Sequence, residues 1–118
     1  MNNYSRGKYA EFLARCYMRL HGFGIVAKNY VSGRGTTAGE IDFIAKRGNL
    51  LVFTEVKQRS SLDNAAYAIS RNQQQRLIRG AENFIKNHPQ YRCCNMRFDA
   101  VLIKLPFSIR HIPNAWYA

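Results

Sequence analysis

Three acids and a lysine stand out in one short stretch, GEIDFIAKRGNLLVFTEVK at residues 39–57, among apolar residues that would otherwise read as the middle of a sheet. They are Glu40, Asp42, Glu55 and Lys57. The whole chain carries seven Asp and Glu against eighteen Lys and Arg, a formal charge of +11, so three acids in one place concentrate a scarce charge. Hard carboxylate oxygens suit a partly hydrated Mg²⁺, which takes one or two carboxylates and leaves room for phosphate oxygens. Such an ion polarises a phosphoryl oxygen and acidifies a water, while a lysine can orient that water or stabilise charge developing on a phosphorane. The chemistry implied is hydrolysis of a phosphodiester.

To act together these side chains must be held by adjacent strands. Gly48 and Asn49 form a two-residue turn of the kind that needs positive φ, with residues 40–47 and 50–57 as its arms. Asp42 then falls opposite Glu55, and Glu40 opposite Lys57. Side chains alternate with a period of two, so all four share one face with Ile44, Leu51 and Phe53. Ile41, Phe43, Val52 and Val56 share the other. Both faces are apolar, which places the hairpin in the centre of a sheet covered on both sides, its charges gathered at the open end.

Two carboxylates on opposed strand positions lie about 5 Å apart at Cβ, and at an effective dielectric of about 20 they repel by about 3 kcal/mol. Lys57 alone cannot neutralise three acids. Three answers stay open: arginines from elsewhere close the network, one acid keeps its proton through a raised pKa, or a divalent cation sits among them.

The rest of the chain supplies the scaffold. After Ser5 as N-cap, the spacing Tyr9, Phe12, Leu13, Cys16, Tyr17, Leu20 predicts an amphipathic helix that stops at Gly22. Residues 23–30 read as a strand and 32–39 as a Gly- and Thr-rich loop. Residues 58–72 lack a period and read as a loop, and a second helix follows over about 73–86, with Leu77, Ile78, Ala81, Phe84 and Ile85 on one face. Residues 96–105 and 108–112 read as strands joined at Pro106. The order is helix, three strands, helix, two strands: a mixed α/β domain.

At 118 residues the chain is long enough for one core and too short for two, and residues 1–118 read as a single domain. Every apolar run is short and broken by charge, which speaks against a bilayer-crossing segment, and the N-terminus lacks a secretory h-region. The expected location is the cytoplasm. Cys16, Cys93 and Cys94 form no metal-ligand spacing and read as reduced structural thiols. The basic excess, with a pI of about 10.1, points to a polyanionic partner, nucleic acid and above all DNA, rather than to mere solubility charge. Basic residues spread along the whole chain also argue against a membrane-surface helix.

A wider pattern now stands out. Asp42, twelve residues, then Glu55-Val56-Lys57 resembles the D-x(n)-ExK core of restriction-endonuclease-like nucleases. Together GKYAEFLARCYMRLHGFGIVAKNY, GEIDFIAKRGNLLVFTEVKQRSS, RFDAVLIK and HIPNAW resemble the YraN-like family of small bacterial proteins with that fold, over nearly the whole chain. The resemblance implies a central mixed β-sheet flanked by helices on both faces. It implies Asp42 and Glu55 as ligands of Mg²⁺ or Mn²⁺, the Val56 carbonyl as a third, and Lys57 as the catalytic lysine. Glu11 matches the first-helix glutamate that such folds bring to the metal, and Glu40 matches the glutamate of the family's GEID motif. Ile41 stands where many such nucleases have proline, and Gln73 where many relatives carry a lysine, so Gln73 can offer hydrogen bonds but no charge.

Glu11 admits two placements. On a helical wheel it lies almost opposite the Phe12, Leu13, Cys16 stripe, which says solvent, yet Gly7, Ala10 and Ala14 beside it form a small-residue face able to approach a sheet. Periodicity leaves both placements open, and the resemblance favours the pocket.

Arg34, Arg59 and Arg71 flank the expected site in loops where they could grip phosphates. His21, His88 and His111 do not gather near the hairpin, and Asp99 reads as a structural strand acid. The resulting expectation is a Mg²⁺-dependent DNA endonuclease acting on branched or flapped DNA. The alternative is a catalytically silent nucleic-acid-binding or adaptor module with the same fold. Paired cuts across a duplex would need two sites, which a homodimer would supply.

Overall fold

A helix forms where a good cap meets a run free of Pro and poor in β-branched residues. In the computed structural model, which describes residues 2–33, 38–60 and 69–117, the first helix, α1, spans Asn3–Leu20. Its N-cap is Asn2 rather than Ser5: the Asn2 Oδ1 accepts the Ser5 N–H at 2.8 Å. Asn caps as well as Ser, so the helix starts earlier than Ser5 suggests. Gly22, at φ +88°, ends it.

Five strands follow the sequence order within one sheet: β1 (Gly24–Ser32), β2 (Gly39–Arg47), β3 (Leu50–Gln58), β4 (Asn95–Lys104) and β5 (Ser108–Trp116). All neighbours are antiparallel except β3 and β4, which run parallel. That parallel step needs a crossover, and the second helix, α2 (Arg71–Asn87), lies within it. Ser70 and Gln73 build a capping box that starts α2 two residues ahead of Gln73. A single 3₁₀ turn, Pro89–Tyr91, follows α2. The loop expected over 58–72 is only partly testable, since residues 61–68 lie outside the described set, as do 34–37 of the loop expected before the hairpin.

The strand β5 runs past Pro113, where the sequence suggested a stop at 112. An edge strand tolerates proline because nothing pairs on one side. The register against β4 shifts between Phe98 and Ala100, and Asn114, at φ +54°, turns its N–H to the Asp99 carboxylate at 2.9 Å.

Two apolar clusters sandwich the sheet. Leu77, Ala81 and Phe84 of α2 pack on Ile41, Ile44, Leu51, Phe53, Ala100 and Leu102. Ala10, Ala14 and Met18 of α1 pack on Phe43, Ala45, Val52, Val56, Val101 and Ile103. The face buried by α1 overlaps the predicted stripe only in part: Leu13 and Tyr17 pack partly buried against this cluster, but Phe12 is 49% and Leu20 86% exposed, whereas Ala14 is fully buried. Small side chains let the helix backbone lie closer to the sheet, and the larger residues end up on its flanks. On α2 the predicted face is the one buried.

Candidate active site

The hairpin register is the one that the Gly48-Asn49 turn implies. Arg47 pairs with Leu50, Lys46 with Leu51, and so on to Phe43 with Thr54. Gly48 alone of the two turn residues has positive φ, +57°, which suits a turn whose first central residue must be glycine.

Beyond Phe43 the ladder stops, and the expected direct opposition of Asp42 and Glu55 gives way to a different contact. The Asp42 Oδ2 accepts the Val56 N–H at 2.7 Å, taking the place of a backbone rung. The strict alternation expected of β2 also fails at this point. Ile41 joins Ile44 in the α2-side cluster instead of sharing a face with Phe43. The neighbouring strand does the same, Tyr30 and Ala27 both lying against that cluster, and Asn29 between them adopts φ +51°. The β1–β2 pairs on either side are Lys28 with Phe43 and Tyr30 with Ile41, so the slip falls where Asn29 and Asp42 meet. A left-handed residue is costly for most side chains and mildest for Asn and Gly. The slip sets Asp42 at the splayed end of β2, where its carboxylate reaches the backbone of β3.

Glu55, 9% exposed, lies at the same end of β3, and the Lys57 Nζ sits 3.3 Å from its Oε1. Burial pushes the Glu55 carboxyl up to about 7, the charge of Asp42 adds to that rise, and Lys57 opposes it. Burial likewise raises Asp42 to about 6, against the Val56 N–H and with the help of Glu11. Glu11 is thus near enough to act on Asp42, and its Oε1 is buried without a hydrogen-bond partner among the described residues. The small-residue face of α1 brings it there, since Ala10 and Ala14 flank it in the buried contact.

Glu40 takes another course. It lies opposite Arg76 of α2, with a guanidinium–carboxylate contact of 2.6 Å, and both side chains are about half exposed. An arginine from elsewhere does close part of the network, but it neutralises Glu40 and leaves Asp42 and Glu55 with Lys57. Arg76 was not among the residues singled out from sequence. Its spacing from Gln73 and Leu77 places it on the same face of α2, the one available signal. The approach of α2 depends on two glycines: a Cβ on Gly39 would lie 2.5 Å from the Gly80 nitrogen and 2.6 Å from its Cα.

A polar cavity of about 190 Å³ opens here, lined by Glu40, Glu55, Lys57, Gln73, Arg76 and Leu77. Gln73 stands on its wall while its side-chain oxygen accepts the Ser70 N–H at 3.3 Å, so part of its hydrogen-bonding capacity serves the helix start. A larger apolar groove of about 710 Å³ lies beside the C-terminal half of α2, among Ile85, Met96 and Trp116, and lacks paired acids.

Among the described residues, no three His, Cys, Asp or Glu side chains cluster closely enough to hold a metal ion by themselves. The donor set is nonetheless of the right kind. The buried Glu55 and the partly buried Asp42, both with raised proton affinity, and an unpartnered Glu11 oxygen beside them carry more negative charge than Lys57 can balance. That is the deficit a divalent cation on one or two carboxylates would fill.

Of the other candidates, Arg59 donates its backbone N–H to Ile103 O and its guanidinium to Gln58 O, at the end of β3. Arg71 is exposed at the first residue of α2, and Arg34 lies outside the described residues. Asp99 is a fully buried structural acid: Arg97 grips it with two bonds of 2.8 Å and His111 approaches at 2.6 Å. His21 and His88 bond the carbonyls of Tyr17 and Phe84. No helix among the described residues is long and apolar enough to cross a membrane.

A mixed five-stranded sheet with a helix on each face, and an acid–acid–lysine group at the splayed end of its central hairpin, defines a restriction-endonuclease-like α/β fold. A solved structure of the same architecture is the Holliday junction resolvase Hjc of Archaeoglobus fulgidus, with a TM-score of 0.55 at 16% identity over 87% of this chain and 72% of that one. The chain itself belongs to the family described as Uncharacterised protein family UPF0102, whose model matches residues 10–103. Relatives include a UPF0102 protein of Paramagnetospirillum magneticum, 48% identical over 94% of this chain and 86% of its own length. Another, from Rhodopseudomonas palustris strain BisB18, is 45% identical over 95% of this chain and 80% of its own.

Proposed function

We propose that this chain is a metal-dependent DNA endonuclease of the cytoplasm that acts on branched or flapped DNA. The observation that supports this most is the gathering of Asp42, partly buried, and Glu55, buried, both with raised proton affinity, with Lys57 at 3.3 Å from Glu55, on a protein of formal charge +11. The kind of DNA is suggested by the junction resolvase whose fold it shares.

Asp42, Glu55 and the Val56 carbonyl would hold Mg²⁺ or Mn²⁺, with Glu11 as the further acid from α1. Divalent-metal chemistry at such a site supplies a polarised phosphoryl oxygen and a more acidic water. Lys57 places a positive charge at the cavity wall, where it can orient the attacking water and stabilise charge on the phosphorane. Asp42 fixes the β3 backbone through the Val56 N–H and so positions Glu55 and Lys57 on either side of that residue. Gln73 and Arg76 line the opposite wall, where they can donate hydrogen bonds to phosphate oxygens.

A second reading, a binding module without turnover, is favoured by Gln73, which stands uncharged on the cavity wall and spends its side-chain oxygen on the Ser70 N–H. Titrating Mg²⁺ and Mn²⁺ into wild type and Asp42→Asn, with flapped and four-way-branched DNA as substrates, separates the two. The nuclease reading expects metal-dependent nicking that vanishes in Asp42→Asn and Glu55→Ala. Equal cleavage by wild type and variants would trace the activity to a contaminant, and tight DNA binding with no cleavage would establish the silent module.

A further inference from the structure

A second cleft, of about 460 Å³, opens at the same end of the sheet and is lined by Asn3, Arg6, Gln58, Arg59, Ser60 and Lys104. It lies where the two parallel strands β3 and β4 end, at Gln58 and Lys104. In open α/β sheets the crevice beyond the carboxyl ends of parallel strands is the usual place for a ligand. Three of its lining residues, Arg6, Arg59 and Lys104, are basic, and no acid is among them.

Its position relative to the acid–lysine site is informative. Consecutive strand residues point to opposite faces. Glu55 and Lys57 face the α2 side, where they line one cavity, and Gln58, the next residue, lines the other cleft together with Arg6 of α1. Adjacent residues of β3, Lys57 and Gln58, thus line the two. Arg6 also lies about one and a half helical turns before Glu11 on α1, so a single helix spans from the cationic cleft to the acids.

Resting on the nuclease reading above, we propose that this cleft is a phosphate subsite for the substrate strand. The DNA backbone leaves the Glu55–Lys57 cavity, crosses the rim of the sheet at Gln58, and seats a neighbouring phosphate between Arg6 and Lys104. Both side chains are exposed, so their cationic heads are accessible to a backbone that tracks the rim. Arg59 donates to the Gln58 carbonyl and holds the floor of the cleft. A strand that must bend round a sheet edge is easier to draw from a flap or branch than from a stacked duplex.

The test is equilibrium binding of a fluorescent flapped DNA in EDTA, measured against salt, so that no cleavage is required. Each phosphate contact contributes about 0.9 to the slope of log K against log salt. Arg6→Gln/Lys104→Gln should therefore flatten the slope by about 1.8 and weaken binding about tenfold or more near 50 mM salt. Arg6→Lys/Lys104→Arg should restore both. Lys86→Gln/Arg92→Gln removes the same charge from exposed positions elsewhere and should leave the slope nearly unchanged. Equal slopes for the cleft variant and wild type, or an equal loss in the control pair, would overturn the subsite. Either result leaves the nuclease reading standing if wild type still nicks DNA with Mg²⁺. Wild type that binds yet never cleaves refutes the nuclease while the slopes still decide the cleft, and wild type that binds no DNA removes both.

Discussion

Neutralising Glu55 should stabilise the metal-free protein, by an amount that depends on pH in a calculable way. The carboxyl is raised from an ordinary 4.5 to about 7, by burial first and by the charge of Asp42 second, with Lys57 already opposing the rise. Between those two values the folded protein keeps a proton that the unfolded chain has released. Stability therefore falls as pH rises through that window, and the loss is complete above the folded value. At about 1.36 kcal/mol for each tenfold change in proton affinity, the gap is worth about 3 kcal/mol, most of which is lost between about pH 5 and pH 8. Glu55→Gln has no such titration. In EDTA, its stability relative to wild type should rise by about 2 to 3 kcal/mol from about pH 5 to pH 8. For a chain of this length that is about 10 °C in Tm. Urea denaturation at the two pH values measures this difference; groups remote from the site cancel between the two proteins, and Asp42, relieved of the Glu55 charge, ionises more easily in the variant and adds in the same direction. Saturating Mg²⁺ should shrink the advantage by stabilising wild type selectively. A difference that does not grow with pH would show that the ionised carboxylate is not strained at all, and the case for a missing cation would go with it.

Gly39→Ala should cost about 3 kcal/mol or more, because the new Cβ meets backbone atoms of Gly80 that no rotamer change can move; thermal denaturation reads this directly. Asp99→Asn should destabilise by about 3 to 5 kcal/mol at neutral pH, leaving Arg97 without its buried counter-charge and His111 without its carboxylate partner. Burial alone would raise Asp99, but the hydrogen bonds from His111, Arg97 and the Asn114 N–H outweigh it and hold the carboxyl below its ordinary range. Its contribution is accordingly present above the unfolded value and lost as acid protonates the folded form, so the variant should also show a weaker loss of stability with acid. Ser70→Ala removes one half of the α2 capping box and should cost about 1 kcal/mol, visible as a small shift in the urea midpoint.

Much of the site could be read along the chain because it rests on local geometry. A Gly at position 48 forces a tight turn, the turn sets the register from Arg47↔Leu50 outward, and the register carries Asp42 and Glu55 to one end of the hairpin. The apolar face of α2 follows from helical spacing alone, since one contiguous stripe left only one way to bury it. Where two faces competed, the chain alone was silent. Whether α1 buries Phe12 and Cys16 or Ala10 and Ala14 depends on how closely the sheet lets the helix approach, and that closeness carried Glu11 to Asp42. Alternation likewise fails at Ile41 because β1 slips with β2 at Asn29, a partner distant in sequence that no period within β2 can reveal. The pairing of Glu40 with Arg76 joins residues 36 positions apart. Local propensity determines which residues can share a face, but only packing between remote segments decides which face is covered and which charge is left without a partner.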